Sequence, residues 1–341
     1  MTSELTQRLE AHLTREIGAR AIVHAASPLG GGACQDNYEI DAELPAEAGE
    51  IAGRRRLVLR ADAKRSLPGS IDRRAEFAVV NAAADAGVKT PRARFLGEGL
   101  TRPGAFGYLL DWADGVAIGR RVVRDADLAG ARAKLPNELA AELARIHSVT
   151  PESTGAPPLA LPADRDPVRA ALDASWKAVL ALPEARPGLA LALAWLEDHP
   201  PRDRSLCLVH GDFRTGNFLV TPDGLSAVLD WEFSRWGARA EDIAWLCMRT
   251  WRFGETKKPV GGFGQRAELL DAYERASGHL VDAADVHFWE ILGNVRWATG
   301  SIEQGERFLS GAERDLELVA IPRRAVEMEY EALRLLETGP R

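Results

Sequence analysis

Residues 208–237 read LVHGDFRTGNFLVTPDGLSAVLDWEFSRWG, three apolar runs with acids and an amide where the runs stop. A strand rarely ends on carboxylates without a partner for them, because a buried charge is costly unless it is paired. The pattern predicts a strand over CLV, a turn at HGD, a second strand over NFLVT, a tight turn at PDG, and a third strand over LSAVLDWE that ends on its acids. Such a unit brings Asp212, Asn217 and Asp230 to one end. Oxygen donors converging there suit a hard cation such as Mg2+, which takes one or two carboxylates and completes its shell with phosphate oxygens and water.

The rest of the chain is built to carry such a site. Its 341 residues exceed the usual size of a single core and predict two lobes. A hydrophobic share of 46% and a charged share of 27% are ordinary for a globular protein. Cys34, Cys207 and Cys247 are odd in number and contain no CxxC pair, which argues against a disulfide framework or a structural zinc and for a reducing cytoplasm. No apolar run is long enough for a membrane span, and the first residues lack the apolar centre of a signal peptide. The net charge of −7 is uneven: residues 1–110 carry 15 basic and 14 acidic side chains, residues 111–341 carry 28 and 36. That balance offers no basic patch for a nucleic acid and tolerates metal ions or cationic ligands. Oligomeric state leaves no mark in the sequence.

Leu5, Leu9, Leu13 and Ile17 recur four apart and predict an opening helix over 2–18. Residues 20–62 alternate short apolar runs with turn residues and predict an antiparallel sheet, the RRR run at 54–56 lying on a solvated edge. A helix is expected over 70–86, capped by Ser70 or Asp72 and stopped by Gly87, followed by strands near 92–98 and 106–112. DWADG at 111–115 reads as the junction of a sheet-rich lobe, residues 1–110, with a mainly helical lobe, residues 111–341. Prolines 157, 158, 162 and 167 mark a loop ahead of an Ala- and Leu-rich helical tract, and residues 265–337 are again helical. A cleft between lobes is where a ligand is expected.

Asp212 and Asn217 stand five apart, the interval of a kinase catalytic loop, and Asp230 follows as a metal-binding aspartate does. HGDFRTGN at 210–217 with Asp230-Trp231-Glu232 resembles the aminoglycoside phosphotransferase and choline kinase-like family. The likeness extends over residues 20–250. LGGGACQDNY resembles the family's nucleotide loop, which brings Gly30, Gly31 and Gly32 toward phosphates. LVLR sets Arg60 at the phosphate-binding position, with Glu76 as its ion-pair partner, and YLLDWADG resembles the hinge that grips adenine through backbone groups around Asp111 and Trp112. Arginine at position 60 and the HGDFRTGN form resemble the branch fused to some acyl-CoA dehydrogenases.

The resemblance implies an α+β, two-lobed protein-kinase-like fold and transfer of the γ-phosphoryl group of ATP to a hydroxyl of a small molecule. Asp212 would orient or deprotonate that hydroxyl, Asn217 and Asp230 would hold Mg2+, and Arg60 would steady phosphates. Arg214 joins Asp212 as a catalytic candidate, with a phosphate, an anionic substrate or Glu232 as its partner. His210 is expected to orient the loop, and His147 to end a helix. A hydroxylated metabolite is the preferred acceptor. An aminoglycoside, met by acids such as Glu290, Glu303 and Glu306, is the alternative, and a catalytically silent nucleotide sensor is another. Trp245, Trp251, Trp289 and Trp297 are expected in helices, as core or as an acceptor wall. Cys34 reads as a small residue of the glycine loop.

Overall fold

The computed structural model describes residues 2–29, 36–62, 67–311 and 317–340. The glycine loop, with Gly30, Gly31, Gly32 and Cys34, lies outside the described residues. The chain divides into two compact units: Met1–Asp114 with Trp231–Phe233, and Gly115–Asp230 with Ser234–Arg341.

The first unit runs α1 (Thr2–Ile17), β1 (Ile22–Pro28), β2 (Asp36–Leu44), β3 (Gly53–Ala61), α2 (Arg73–Asp85), β4 (Ala93–Glu98) and β5 (Phe106–Asp111). The strands form one antiparallel sheet in the order β1-β2-β3-β5-β4. The helical period of α1 buries Leu9 and Leu13 fully against Ile40, Leu57, Leu59 and Leu109 of the sheet, with Leu5 and Ile17 partly covered. Each fully buried leucine contributes about 2 kcal/mol of transfer free energy. Helix α2 is capped by Asp72, whose carboxylate accepts from the Ala75 N–H, while the Ser70 hydroxyl donates instead to the Leu67 carbonyl. The arginines of the RRR run are paired as well as solvated: Arg54 with Asp41 and Arg56 with Glu39, across β2 and β3.

The second unit holds α3 (Gly119–Arg124), α4 (Ala129–Arg132), α5 (Leu135–His147), α6 (Pro167–Leu180), α7 (Pro187–Asp198), β6 (Leu206–Val209), β7 (Phe218–Thr221), β8 (Gly224–Val228), β9 (Arg235–Ala238), α8 (Arg239–Cys247), α9 (Arg266–Ser277), α10 (Ala283–Leu309), α11 (Glu317–Ala320) and α12 (Ala325–Thr338). Pro167 opens α6 behind an Asp166 cap, and Pro187 opens α7, so the Ala- and Leu-rich tract is two helices. β7 and β8 form a hairpin across PDG, and β6 pairs with β9, a strand that the sequence pattern did not reveal. The third strand of the opening stretch is shorter than expected. It stops at Val228 because Asp230 adopts φ +68°, a left-handed conformation that no strand ladder accommodates. Cys207 and Cys247 are buried and unbridged. Among the described residues no helix is long and apolar enough to cross a membrane.

Gly115 opens this unit at φ +145°, where the backbone of β7 approaches closely and Val116 bridges to Val220. A Cβ there would lie 2.9 Å from Leu219 Cβ and 3.0 Å from the Val220 nitrogen. Gly115→Ala is therefore expected to destabilise the protein by about 1–3 kcal/mol, through strain and crowding together, read as a lowered urea midpoint at unchanged slope.

Candidate active site

The HGD turn follows β6, and Gly211 takes φ +80°, a conformation open to glycine without a Cβ penalty. The turn is held from α8. The Asp242 carboxylate accepts from the backbone N–H groups of His210 (2.7 Å) and Gly211 (2.9 Å). Its Oδ2 also meets His147 Nε2 at 3.3 Å. A carboxylate only accepts, so His147 carries its proton on Nε2 and takes the Tyr273 hydroxyl on Nδ1 at 2.8 Å. Burial alone would push Asp242 up, but the hydrogen bond from His147 and that from the His210 N–H outweigh it and hold this acid below the ordinary aspartate value. His210 is fully buried and uses both ring nitrogens: Nε2 donates to the Leu229 carbonyl at 2.9 Å, and Nδ1 accepts the Asp212 N–H at 3.2 Å. It orients the loop and has no nitrogen left for proton transfer.

Asp212 is buried at the tip of this frame. Its Oδ1 accepts the Trp245 indole N–H at 2.7 Å, and Trp245 stands on α8 three residues after Asp242, hence on the same helical face. The Arg214 Nε spans both carboxylate oxygens at 3.1 and 3.2 Å, and the Asn217 amide donates to Oδ2 at 2.6 Å and to the Asp212 carbonyl at 3.0 Å. Desolvation raises the Asp212 pKa above the ordinary value despite Arg214, with the nearby Asp230 charge raising it further. Arg214 pairs with Asp212, and its guanidinium lies 4.3 Å from the centre of the Trp251 ring.

Asn217 and Asp230 are joined through the hairpin. The Leu229 N–H donates to the Asn217 carbonyl at 2.8 Å, one step beyond the Phe218–Val228 pair, and Asp230 follows in its left-handed turn. Among the described residues no group of three or more His, Cys, Asp or Glu side chains converges as a metal site. A carboxylate and a carboxamide oxygen at one hairpin end remain as a hard donor set. It suits Mg2+, which keeps water and substrate oxygens in most of its shell, and does not suit zinc.

The first unit carries a separate buried charge cluster. Arg60 on β3 is paired with Glu76 on α2 at 2.7–2.8 Å, and both are buried. Arg73, unmarked in the sequence reading, also pairs with Glu76 and reaches Glu232 at 3.4 Å; Arg60 lies 3.9 Å from Glu232. Two arginines and two glutamates thus balance one another, which is the condition for burying such charges. Asp111 accepts from Arg94 at 2.9 and 3.1 Å, and its N–H donates to the Arg92 carbonyl. Trp112 donates its indole N–H to Asp114 and lies beneath the Arg56 guanidinium, 3.4 Å from its ring centre.

The sequence profile of the phosphotransferase enzyme family matches residues 25–279, three quarters of the chain and the whole of the HGDFRTGN loop. The chain belongs to that family. Among solved structures, this phosphotransferase superposes on a putative aminoglycoside phosphotransferase from Ralstonia eutropha with a TM-score of 0.74 at 21% identity, covering 98% of this chain and 99% of that one. It superposes on a thermostable mutant of the aminoglycoside phosphotransferase APH(4)-Ia, in ternary complex with ADP and hygromycin B, with a TM-score of 0.59 at 18% identity over 96% and 98% of the two chains. The fold is therefore the two-lobed, protein-kinase-like α+β fold. Among curated proteins it is 30% identical to mouse acyl-CoA dehydrogenase family member 10 over 57% of this chain and 18% of that protein. It is 34% identical to homoserine kinase of Methylobacterium radiotolerans over 35% of this chain and 38% of that enzyme. The matched region is thus under two fifths of either relative's length.

Replacing Asp242 by Asn preserves shape but turns an amide toward backbone N–H donors. The expected cost is about 3 kcal/mol in urea denaturation at pH 7, the size seen when a buried charged partner is removed. Because the folded pKa lies below the ordinary 3.8, the carboxylate's contribution is complete above 3.8 and is lost as pH falls through the folded value. The gap between the two proteins should hold constant down to about pH 4 and narrow only below 3.8.

Proposed function

We propose that the protein transfers the γ-phosphoryl group of ATP, with Mg2+, to a hydroxyl of a small hydroxylated metabolite. The observation that carries this reading is Asp212: a buried carboxylate that accepts from Trp245, Arg214 and Asn217, at the +0 and +5 spacing of a phosphoryl-transfer loop. A silent nucleotide sensor would have no use for a carboxylate fixed by three donors.

In this reading Asp212 accepts a hydrogen bond from the acceptor hydroxyl and aligns its oxygen, with the proton passing to the carboxylate as the bond to phosphorus forms. A loose transition state asks mainly for alignment, so the rigid frame from α8 matters as much as basicity. Asn217 has committed its amide nitrogen to Asp212, which leaves its carboxamide oxygen to join Asp230 as ligands for Mg2+. A bound Mg2+ neutralises phosphate charge and orients the transferred group. Arg214 balances the Asp212 carboxylate and stands beside the transferred group. Arg60 steadies phosphates, held in place by Glu76. Backbone groups around Asp111 and Trp112 contact adenine, the Asp111 side chain and N–H being engaged with Arg94 and the Arg92 carbonyl. The similarity to homoserine kinase and to acyl-CoA dehydrogenase family members supports a metabolite, of which a hydroxyacyl compound is one example.

Asp212→Asn should lower kcat by about 10²- to 10⁴-fold while ATP affinity changes little, measured by steady-state kinetics and calorimetry. The pH profile carries a second signature. Asp212 acts ionised and its pKa is raised, so kcat should fall on acidification through a limb above 3.8. The Trp245 hydrogen bond opposes that rise, so Trp245→Phe should move the limb to still higher pH.

A further inference from the structure

We propose that the acceptor carries an anionic group near its reacting hydroxyl, and that the tryptophan cluster beside Asp212 receives this group while disfavouring cationic acceptors. The inference rests on the reading of Asp212 as the acceptor-facing residue. Trp245 touches Asp212, its ring lies 5.9 Å from that of Trp251, and Trp251 lies 5.4 Å from Trp297. Aromatic clusters of this kind ordinarily attract ammonium groups through the ring faces. Here the chain's own guanidiniums take those faces: Arg214 over Trp251 at 4.3 Å and Arg296 over Trp245 at 5.7 Å. An incoming cation would find those ring faces already covered by guanidiniums.

The acids are engaged as well. Glu241 is shared by Arg235 and Arg296, and Glu290, expected as a contact for a polycation, is buried between Arg252 and Arg266. What the cluster leaves over is donors. The indole N–H groups of Trp251 and Trp297 are buried without a hydrogen-bond partner. Arg214 directs Nε to Asp212 and Nη1 to the Thr215 carbonyl, and its Nη2 makes no hydrogen bond among the described residues. An unpaired buried donor is costly, a cost that a ligand rich in acceptor oxygens removes. Donors in surplus, with cation sites filled, describe a carboxylate- or phosphate-bearing alcohol.

The test uses the whole protein loaded with Mg2+ and AMP-PNP, whose binding is first measured by calorimetry. Matched four-carbon alcohols ending in a carboxylate, a phosphate, a neutral hydroxyl or an ammonium, together with an aminoglycoside, are then titrated and followed by tryptophan fluorescence. At least one anionic probe should bind about 100-fold more tightly than the neutral and cationic ones, and the carboxylate and phosphate arms identify which group is read. Trp251→Phe and Trp297→Phe should each weaken that probe about tenfold, with affinity for the neutral alcohol, nucleotide affinity and unfolding midpoint little changed. Equal affinities, preference for ammonium, or no detectable anion binding to nucleotide-loaded protein overturns the inference, as does an unchanged anion affinity in both variants. Failure of AMP-PNP to bind instead defeats the phosphotransfer reading on which it rests, and the inference with it.

Discussion

One buried carboxylate, Asp242, grips two consecutive backbone N–H groups at 2.7 and 2.9 Å, and the loop that carries Asp212 depends on that grip. A turn with Gly211 at φ +80° has no ladder of its own to hold it. Charge-assisted hydrogen bonds are about twice as strong as neutral ones and suit a position where a loop must be held to fractions of an ångström. Asp242 can remain ionised in the interior because His147, backed by Tyr273, and the His210 N–H hold its charge. The helix that supplies Asp242 supplies Trp245 three residues later, so one rigid element sets both the path of the loop and the orientation of its carboxylate.

The same physics recurs in the first unit, where Arg60, Arg73, Glu76 and Glu232 are buried together. Each would be costly alone, and together they form a network in which removing one member strands the others. Arg73 gives Glu76 a second cation, so the Arg60–Glu76 pair is one edge of a larger set. Both clusters keep charged groups at fixed positions in low dielectric.

Much of this was legible in the sequence, and what was not had physical causes. Helix α1, helix α2 and strands β4 and β5 follow from period and caps, because local pattern and burial agree there. The tract around residues 174–198 reads as helix by composition, and prolines 183 and 187 cut it in two. Strand β8 ends early since Asp230 leaves the ladder by a positive φ that a single aspartate does not announce. Strand β9 is four residues long and its residues pair with positions 26 to 32 away, beyond the reach of a local pattern. The HGDFRTGN motif marks Asp212 and Asn217, but the groups that hold them do not lie in it. Asp242 and Trp245 look like an acid and an apolar residue of an amphipathic helix, and Arg73 is one of two adjacent arginines. Only the fold reveals that all three turn inward.

The proposed division of labour makes Asp212 an acceptor-facing acid and Asn217 with Asp230 a pair of cation ligands. Substituting Mn2+ for Mg2+ makes the cation visible by electron paramagnetic resonance, so its affinity for the nucleotide-loaded protein can be measured in each variant. The account predicts that Asp230→Asn and Asn217→Ala weaken Mn2+ binding by about tenfold or more, whereas Asp212→Asn leaves it nearly unchanged. Equal Mn2+ affinity in all three variants, or a loss confined to Asp212→Asn, would contradict it.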